Sequence, residues 1–504
     1  MSVIGELIKK AIDVTGFIRG DAKPIEEQEK VLRILLEKAK LTAFGKHFKF
    51  SELLEEPSVI LAFQKNVPVH DYDKMFNDWW HYLLKGHQNV TWPGGQNYFA
   101  LSSGTTSNSK YIPVTDDMLD SIKKAGIQQV LSLKNFDLPG DFFEKQIMML
   151  GSSTQLIQKD DHEEGEISGI SASNIPVWFK SFYKPGEEIA SIKDWDQKLQ
   201  RIVEEAPKWD IGSLSGIPSW VEMMLKAIIK HHNLKNIHDI WPNLQVYTTG
   251  GVAFEPYLHS FEKLLARPII YIDTYLASEG FLAMQRRPDT NFMALNTDNG
   301  VFFEFVPFID ENIDENGCVK DNAEILAFAD AQENENYVLL ISTVSGAWRY
   351  MIGDTVMITN KQLAEIKITG RTKHYLNVVG SQLSVHQMNK AIEELAKTYK
   401  IDIKEFVVSA IHKGDDYIHK WLLGANEIKD DLDEIASKLD ELLKENNKNY
   451  AVARGKALKG VEVEIFTVDK FYKWSEEKKN LGGQAKIPRV LKEEEFLEFQ
   501  DYMR

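Results

Sequence analysis

The chain has 504 residues, a formal net charge of −16, 43% hydrophobic and 27% charged residues. That length asks for two or three domains with packed cores. The acidic balance argues against a nucleic-acid or anionic-membrane surface, which needs clustered Lys and Arg, and the single cysteine, Cys318, excludes a disulfide framework or a cysteine-rich zinc site.

The opening residues, MSVIGELIKKAIDVTGFIRG, place Glu6, Lys9, Lys10 and Asp13 among apolar residues at helical spacing, so they read as an amphipathic helix and not a secretory signal. No apolar run approaches the ~20 residues of a membrane span. A cytoplasmic protein with no membrane and no nucleic-acid partner is expected. Residues 25–48 read as one helix, with Leu32, Leu35, Leu36 and Ala39 on its apolar face and Gly45 as terminator. Further helical patterns cover 115–134, 190–205, 219–231 and 255–266.

Between them, short apolar runs end in small polar clusters: NYFAL before SSGTT, QIMML before GSSTQ, LQVY before TTGG, PIIYIDTY before LASEG, and YVLLIST before VSG. Strand, glycine- and hydroxyl-rich loop, then helix is the alternation of an α/β fold, whose ligands collect at the carboxyl ends of the strands. The five clusters are therefore expected to meet in one site. From about residue 310 the pattern changes, and GVFFEFVPF, YVLLIST and DTVMITN read as strands of an antiparallel or barrel-like part. After GRTKHYLNVVG come a helix (385–398), two strands (404–411, 418–424), a charged helix (427–446) and a strand (461–467), an α+β unit large enough to be its own domain. The expected division is 1–370 and 371–504, with the boundary near Arg371 to His374.

Several loops carry chemistry. In LSSGTTSNSKYIPV a glycine-centred turn offers successive backbone N–H groups, the hydroxyls of Ser102, Ser103, Thr105 and Thr106, and the Lys110 ammonium. That is an anion-binding concavity, and it is neither a Walker A loop nor a nucleophile elbow. In DTYLASEGF, Tyr275 offers an aromatic face to a base, and Glu279, four residues on, a carboxylate to Mg2+ beside phosphates. In STVSGAWRYMIGDTV, Asp354 follows a glycine at the start of a strand, where a carboxylate can accept both hydroxyls of a ribose. LGGQAKIPRV sets Lys486 in a Gly-Gly-Gln turn. Each has an ordinary alternative: a surface loop, a core tyrosine, a turn aspartate, a solvated lysine. Trp178, Phe179 and Trp220 are candidates to line a pocket for an apolar acid, while His70 and His162, in polar segments, read as surface residues.

Taken in order, SSGTT…K, TTGG, Y-x-x-S-E, G-D, G-R-x-K and a terminal glycine-turn lysine resemble the acyl-adenylate-forming enzymes. VPVHDYD, SSGTTSNSKYIPVT, GIPSW, WPNLQVYTTGGVAFEPY, YLASEG, FFEFVP and GGQAKIPRV resemble the GH3 auxin-responsive promoter family in its bacterial branch, over about Gln28 to Val490. The resemblance implies an α/β fold: a large N-terminal domain of α/β subdomains plus a barrel-like part, and a smaller, mobile α+β C-terminal domain. It implies an acyl acid amido synthetase, a ligase that uses ATP and Mg2+ to adenylate a carboxylic acid and then passes the acyl group to an amino acid.

By the same resemblance, Ser102, Ser103, Gly104, Thr105 and Thr106 form the ATP phosphate loop, and Thr249, Gly250 and Gly251 border the adenine. Tyr275, followed by Ser278, stacks on the base; Glu279 holds Mg2+; Asp354 takes the ribose hydroxyls; Arg371 lies near ribose and phosphate. Lys373 is the hinge, and Lys486 reaches the α-phosphate and the attacking carboxylate, so Lys486 and Glu279 are the catalytic residues implied. The chain departs from the superfamily at Ser107, where glycine is common, at Gly380-Ser381, where Gly-Glu is common, and at Trp348, where tyrosine is common. An acyl-CoA ligase on the same fold and a nucleotide-binding protein without catalysis are the alternatives. A serine hydrolase lacks its elbow and its histidine partner.

Overall fold

A computed structural model of the chain describes residues 23–102, 110–251, 254–288, 290–314, 317–372, 383, 385–413, 416–425, 431–447, 450–451, 454, 458–478 and 487–504. The helix expected over 1–20 lies outside the described residues. The chain divides into two units. One runs to Gly251 and resumes from Leu264 to Lys367; the other takes Val252–Lys263 together with Ile368–Arg504. A helix from the middle of the chain, Glu255–Glu262, thus goes with the C-terminal residues.

The expected helix over 25–48 is two helices, Pro24–Ala39 and Ala43–His47. Thr42 caps the second by accepting the Gly45 N–H. Gly45 is not a terminator: it lies inside that helix, where a Cβ would sit 2.2 Å from the Ala39 carbonyl oxygen. The first helix buries Val31, Leu32, Leu35, Leu36 and Ala39, the face that its spacing predicts.

The strands of the first unit are β1 (Tyr98–Ser102), β2 (Lys110–Val114), β3 (Gln146–Leu150), β4 (Ile157–Gln158), β5 (Glu163–Gly165), β6 (Tyr183–Lys184), β7 (Ile211–Gly216) and β8 (Val246–Gly250). They continue as β9 (Ile270–Ala277), β10 (Gly280–Met284), β11 (Met293–Leu295), β12 (Val301–Pro307), β13 (Leu326–Ala327), β14 (Asn336–Thr343), β15 (Tyr350–Asn360) and β16 (Glu365–Arg371), whose last residues lead into the second unit. A small sheet has the order β2-β1-β5-β4, and the other twelve strands form one sheet, β13-β12-β14-β15-β16-β11-β10-β9-β8-β7-β3-β6. Its β6-β3-β7-β8-β9 end is parallel. The helix Pro218–His231, between β7 and β8, buries Val221, Met224, Leu225 and Ile228. The antiparallel strands expected late in the large domain are β12, β14 and β15, and they continue the same sheet.

Strand, loop, helix describes TTGG, and GSSTQ only after two short strands. The other three clusters are hairpins, because β1 pairs antiparallel with β2, β9 with β10, and β14 with β15. SSGTT also starts from the small sheet, not from the sheet that carries the other four clusters.

A buried ion pair braces the antiparallel part. Arg349, just before β15, is buried with φ +43°. Its Nε and Nη2 donate to Glu304 of β12 at 3.0 Å each, and Nη1 donates to the carbonyls of Gln64 (2.8 Å) and Val67 (2.7 Å). Those carbonyls end the helix Val59–Asn66, so the guanidinium satisfies groups that a helix terminus leaves open. Trp348 beside it is fully buried, stacked on Phe44 and donating from Nε1 to the Thr91 carbonyl at 3.0 Å.

The second unit has β17 (Ile403–Lys413), β18 (Asp416–Ala425) and β19 (Leu458–Phe466) in that order, with β17 and β18 antiparallel and β18 and β19 parallel. The helices Val385–Tyr399 and Leu432–Asn446 pack on the face that shows Phe406 and Val408. Two helices the sequence reading did not contain, Val468–Lys478 and Glu493–Met503, cover the opposite face at Val407 and Leu422. The period-two alternation of β17 thus feeds two cores. No helix among the described residues is long and apolar enough to cross a membrane.

His419 of β18 is fully buried, stacked on Tyr450, and neither ring nitrogen finds a partner among the described residues. Burial pushes its imidazole down to about 3. The unfolded chain takes up this proton below about pH 6.5, while the folded chain does so only near 3. Stability from this group is therefore intact above that window and falls as pH drops through it, by about 2 kcal/mol at pH 5. His419→Phe is expected to flatten the acid side of the stability curve of the second unit, measured by urea unfolding between pH 7 and 5; an unchanged slope would count against this origin. Glu304→Gln strands Arg349 in the core and is expected to lower the stability of the first unit by about 3 kcal/mol, read as an earlier urea midpoint in tryptophan fluorescence.

Candidate functional site

The parallel strands β8 and β9 set Thr249 beside Asp273 and Gly250 beside Thr274. Thr274 Oγ1 donates to the Thr249 carbonyl at 2.8 Å. That approach leaves no room for a side chain at Gly250, where a Cβ would lie 2.7 Å from Thr274 Oγ1. Gly251 then turns the chain at φ +82°. The two glycines of TTGG therefore do different things, one permitting contact and one permitting the turn. β9 continues through Tyr275, and Ser278 and Glu279 form its turn into β10. Glu279 is a buried carboxylate, 7% exposed.

Two β-bulges lie beside these residues, and the second contains Asp354. On β10 the register steps from Phe281↔Leu276 to Ala283↔Tyr275, leaving Leu282 as the extra residue. On β15 it steps from Val338↔Thr355 to Leu340↔Met351, so Ile352, Gly353 and Asp354 stand against Leu339 alone. Gly353 takes φ +89° in this bulge. Asp354 is thus inside a strand, at a bulge, and not at a strand start as the sequence suggested. A bulge bends its strand and redirects the side chain. Tyr275 Oη donates to Asp354 Oδ2 at 2.5 Å, joining residues 79 apart in sequence. In a flat sheet, strands four places apart would be separated by about 19 Å. The contact therefore reports that the sheet curls sharply between β9 and β15.

The structure thus brings together Thr249, Gly250, Gly251, Tyr275, Ser278, Glu279 and Asp354 on neighbouring strand ends or through the tyrosine–aspartate bond. Ser102 ends β1 opposite Lys110, whose ammonium lies over the Tyr72 ring at 5.1 Å. Ser103, Gly104, Thr105 and Thr106 lie outside the described residues, as do Lys373 and Lys486. Arg371 is exposed at the end of β16 and belongs to the second unit.

Of the pocket candidates, Trp220 packs edge-on against Trp195 with centroids 4.0 Å apart, Phe179 is half-buried, and the Trp178 side chain is outside the described residues. Both histidine readings are corrected. His70 is fully buried with Nδ1 2.9 Å from the Trp348 carbonyl, and burial pushes it down to about 4. His162 is close to buried, with Nε2 3.1 Å from Glu164. Their polar neighbours in sequence hid the bridge of His70 to Tyr350 and the packing of His162 against Phe99.

One residue escaped the sequence reading. Lys198, 4% exposed, points its ammonium at the Gly151 carbonyl (3.4 Å) in the loop after β3, beside the paired hydroxyls of Ser152 and Ser168. Burial pushes it down to about 8. It is a cation at the carboxyl end of a parallel strand, where anionic substrates collect. The available signal was its spacing, one turn before Ile202 on the buried face of an amphipathic helix. Among the described residues no group of three or more His, Cys, Asp or Glu could hold a metal ion. A single carboxylate such as Glu279 is compatible with Mg2+, which usually takes one or two carboxylates and completes its shell with phosphate oxygens and water.

Comparisons with known proteins converge. Models of the GH3 family N-terminal, central and C-terminal domains match residues 17–204, 294–371 and 386–495. An indole-3-acetic acid-amido synthetase of Arabidopsis thaliana, GH3.4, is 24% identical over 278 residues, 51% of this chain and 45% of that protein. A jasmonoyl–L-amino acid synthetase of Oryza sativa subsp. japonica, GH3.5, is 25% identical over 274 residues, 50% of this chain and 46% of that protein. The chain spans less than half the length of these curated relatives. The solved GH3.15 acyl acid amido synthetase superposes with TM-score 0.78 at 14% identity, covering 98% of this chain and 96% of that one. A 2-hydroxyisobutyryl-CoA ligase in its postadenylation state follows at TM-score 0.56 and 12% identity, covering 94% and 91%.

The phenol of Tyr275 and the carboxylate of Asp354 are expected to act as a unit toward an adenine nucleotide. Asp354→Ala should weaken ATP binding at least tenfold, the effect of losing a hydrogen bond to a charged group, and Tyr275→Phe should weaken it less. Calorimetric titration with ATP checks both, and unchanged affinity in Asp354→Ala would remove the pair from the nucleotide site.

Proposed function

The chain belongs to the GH3 family, and from that premise we propose that it is an ATP-dependent acyl acid amido synthetase. The observation that carries the reading is the clustering of an aromatic ring, an acid and a glycine turn, Tyr275, Asp354 and Thr249–Gly251, in one curled sheet, with Glu279 in the hairpin turn after Tyr275. The substrates are a small carboxylic acid, ATP and an amino acid, all soluble, and we place the reaction in the cytoplasm.

A carboxylate and an amine do not condense in water, because the carboxylate carbon is a poor electrophile and the amine is protonated. In the first step a carboxylate oxygen attacks the α-phosphorus of ATP, and the bond to the bridging oxygen breaks to release pyrophosphate. The product is a mixed anhydride with AMP as leaving group. In the second step the neutral amine attacks the acyl carbon, the bond to the AMP oxygen breaks, and the amine loses a proton as the amide forms.

In this reading Thr249 to Gly251 border the adenine, Tyr275 stacks on it and Asp354 accepts from the ribose hydroxyls. Ser102 to Thr106 cradle the phosphates through N–H and hydroxyl donors, and Arg371 lies near ribose and phosphate. Glu279 would hold Mg2+, which when bound offsets charge on the phosphate oxygens. Lys486 brings a compact charge on a long stem to the α-phosphate and attacking carboxylate, and Lys373 serves as hinge. Water must be kept from the acyl-adenylate, or it hydrolyses.

A second reading, an acyl-CoA ligase, draws on the fold shared with the 2-hydroxyisobutyryl-CoA ligase. The two differ in product: an amide with an amino acid, a thioester with coenzyme A. The test of the first step is carboxylate-dependent exchange of labelled pyrophosphate into ATP across aryl, indolyl, jasmonate-like and fatty acids. Exchange with one class is expected, and its absence with every acid while ATP still binds would overturn the enzymatic reading. Lys486→Ala should slow exchange about a hundredfold with ATP affinity nearly unchanged; exchange at the wild-type rate would remove Lys486 from the mechanism.

A further inference from the structure

Glu405 lies in the second unit, on β17 just past a bulge at Lys404, where the register steps from Ile403↔Ala425 to Glu405↔Gly424. Its buried carboxylate takes donors from two segments far apart in the chain. Tyr257 Oη, on the helix Glu255–Glu262, donates to Oε1 at 2.5 Å. Arg489 Nη1 donates to Oε2 at 2.5 Å, and its guanidinium lies over the Phe406 ring, 4.8 Å from the centroid. The backbone joins in. Val408 N–H donates to the Arg489 carbonyl at 2.9 Å and Leu491 N–H to the Val408 carbonyl at 3.1 Å, so residues 489–491 lie along β17. Burial and the neighbouring Glu405 raise the Tyr257 phenol well above its ordinary range, keeping it a donor.

The positions of these residues in the sequence matter. Tyr257 stands six residues after Gly251, and Arg489 three residues after Lys486. One carboxylate therefore holds the segment that follows the adenine-bordering turn and the segment that follows the lysine assigned to the α-phosphate. Stability alone does not call for this arrangement, since apolar residues of like volume replace buried ion pairs at little cost or with gain. What a bifurcated carboxylate adds is fixed geometry in two directions. We propose that Tyr257, Glu405 and Arg489 form a positioning array that fixes residues 489–491, the described residues that follow Lys486 in sequence, for the adenylation step. The array rests on the function proposed above for the role of Lys486, but its anchoring of residues 489–491 does not.

Tyr257→Phe in the full chain removes one donor and leaves the Glu405–Arg489 pair. Expected is a loss of about tenfold in kcat for pyrophosphate exchange, less than the roughly hundredfold cost of a full 1 Å misplacement, with KM for ATP within about twofold. Hydrogen exchange at the Val408 and Leu491 amides should quicken while the rest of β17 keeps its protection. Wild-type kcat with unchanged exchange at those amides overturns the array. Equal loss of protection throughout the unit also overturns it, as the mark of a merely structural bond. Should Tyr257→Phe not fold, Arg489→Lys, which keeps the charge, is read in the same way. If the wild-type chain exchanges no pyrophosphate with any acid, the proposed function falls. The anchoring is then judged on the two amides alone: selective quickening upholds it, and no change sinks it.

Discussion

Arg349 is held in a left-handed conformation at φ +43° inside the core, a backbone state that costs energy in any residue but glycine. What holds it there is the set of acceptors around its guanidinium: the Glu304 carboxylate and two carbonyls at the end of the helix Val59–Asn66. The pair ties the N-terminal helices to β12 and to the start of β15. Five residues on, β15 carries Asp354. A strand whose start is pinned by a desolvated ion pair and by the buried Trp348 can carry a bulge without slipping in register, and the bulge is what turns Asp354 toward Tyr275.

The same device recurs in the second unit. A bulge at Lys404 presents Glu405, and a buried carboxylate then joins segments that the chain keeps far apart. In each unit a bulge thus presents an acid, Asp354 or Glu405, to a polar contact. The reason is physical. Ladder residues alternate between core and surface, while an extra residue escapes the alternation and can aim a polar group at a neighbour.

The helix Glu255–Glu262 gives the topology its distinctive feature. It makes the crossover between the parallel strands β8 and β9 and yet counts with the C-terminal residues. The chain therefore leaves and re-enters the first unit at the turn that borders the candidate nucleotide site, in addition to its passage after Lys367. A sequence reader sees only a helical pattern at 255–266 and assigns it to the domain on either side.

Much of this protein was legible in its sequence. Apolar runs located β1, β3, β8, β9, β12, β14, β17 and β18, because burial demands them whatever the partners are. The order SSGTT, TTGG, YLASEG, GD and the late lysine resembled the acyl-adenylate-forming enzymes, and stretches such as VPVHDYD, GIPSW and GGQAKIPRV resembled the GH3 family. The sequence did not show that three of the five loops are hairpins, because pairing direction is settled between strands and not within them. Nor did it show the bulges at Leu282 and Asp354, which exist only as a mismatch between two registers. His70, His162 and Lys198 looked exposed or unremarkable for the same reason: burial of a polar side chain depends on what covers it. Local composition marked many of the strands and the residue types suited to a nucleotide. Only the tertiary structure, by curling one sheet until residues 79 apart share a hydrogen bond, decided which of them meet.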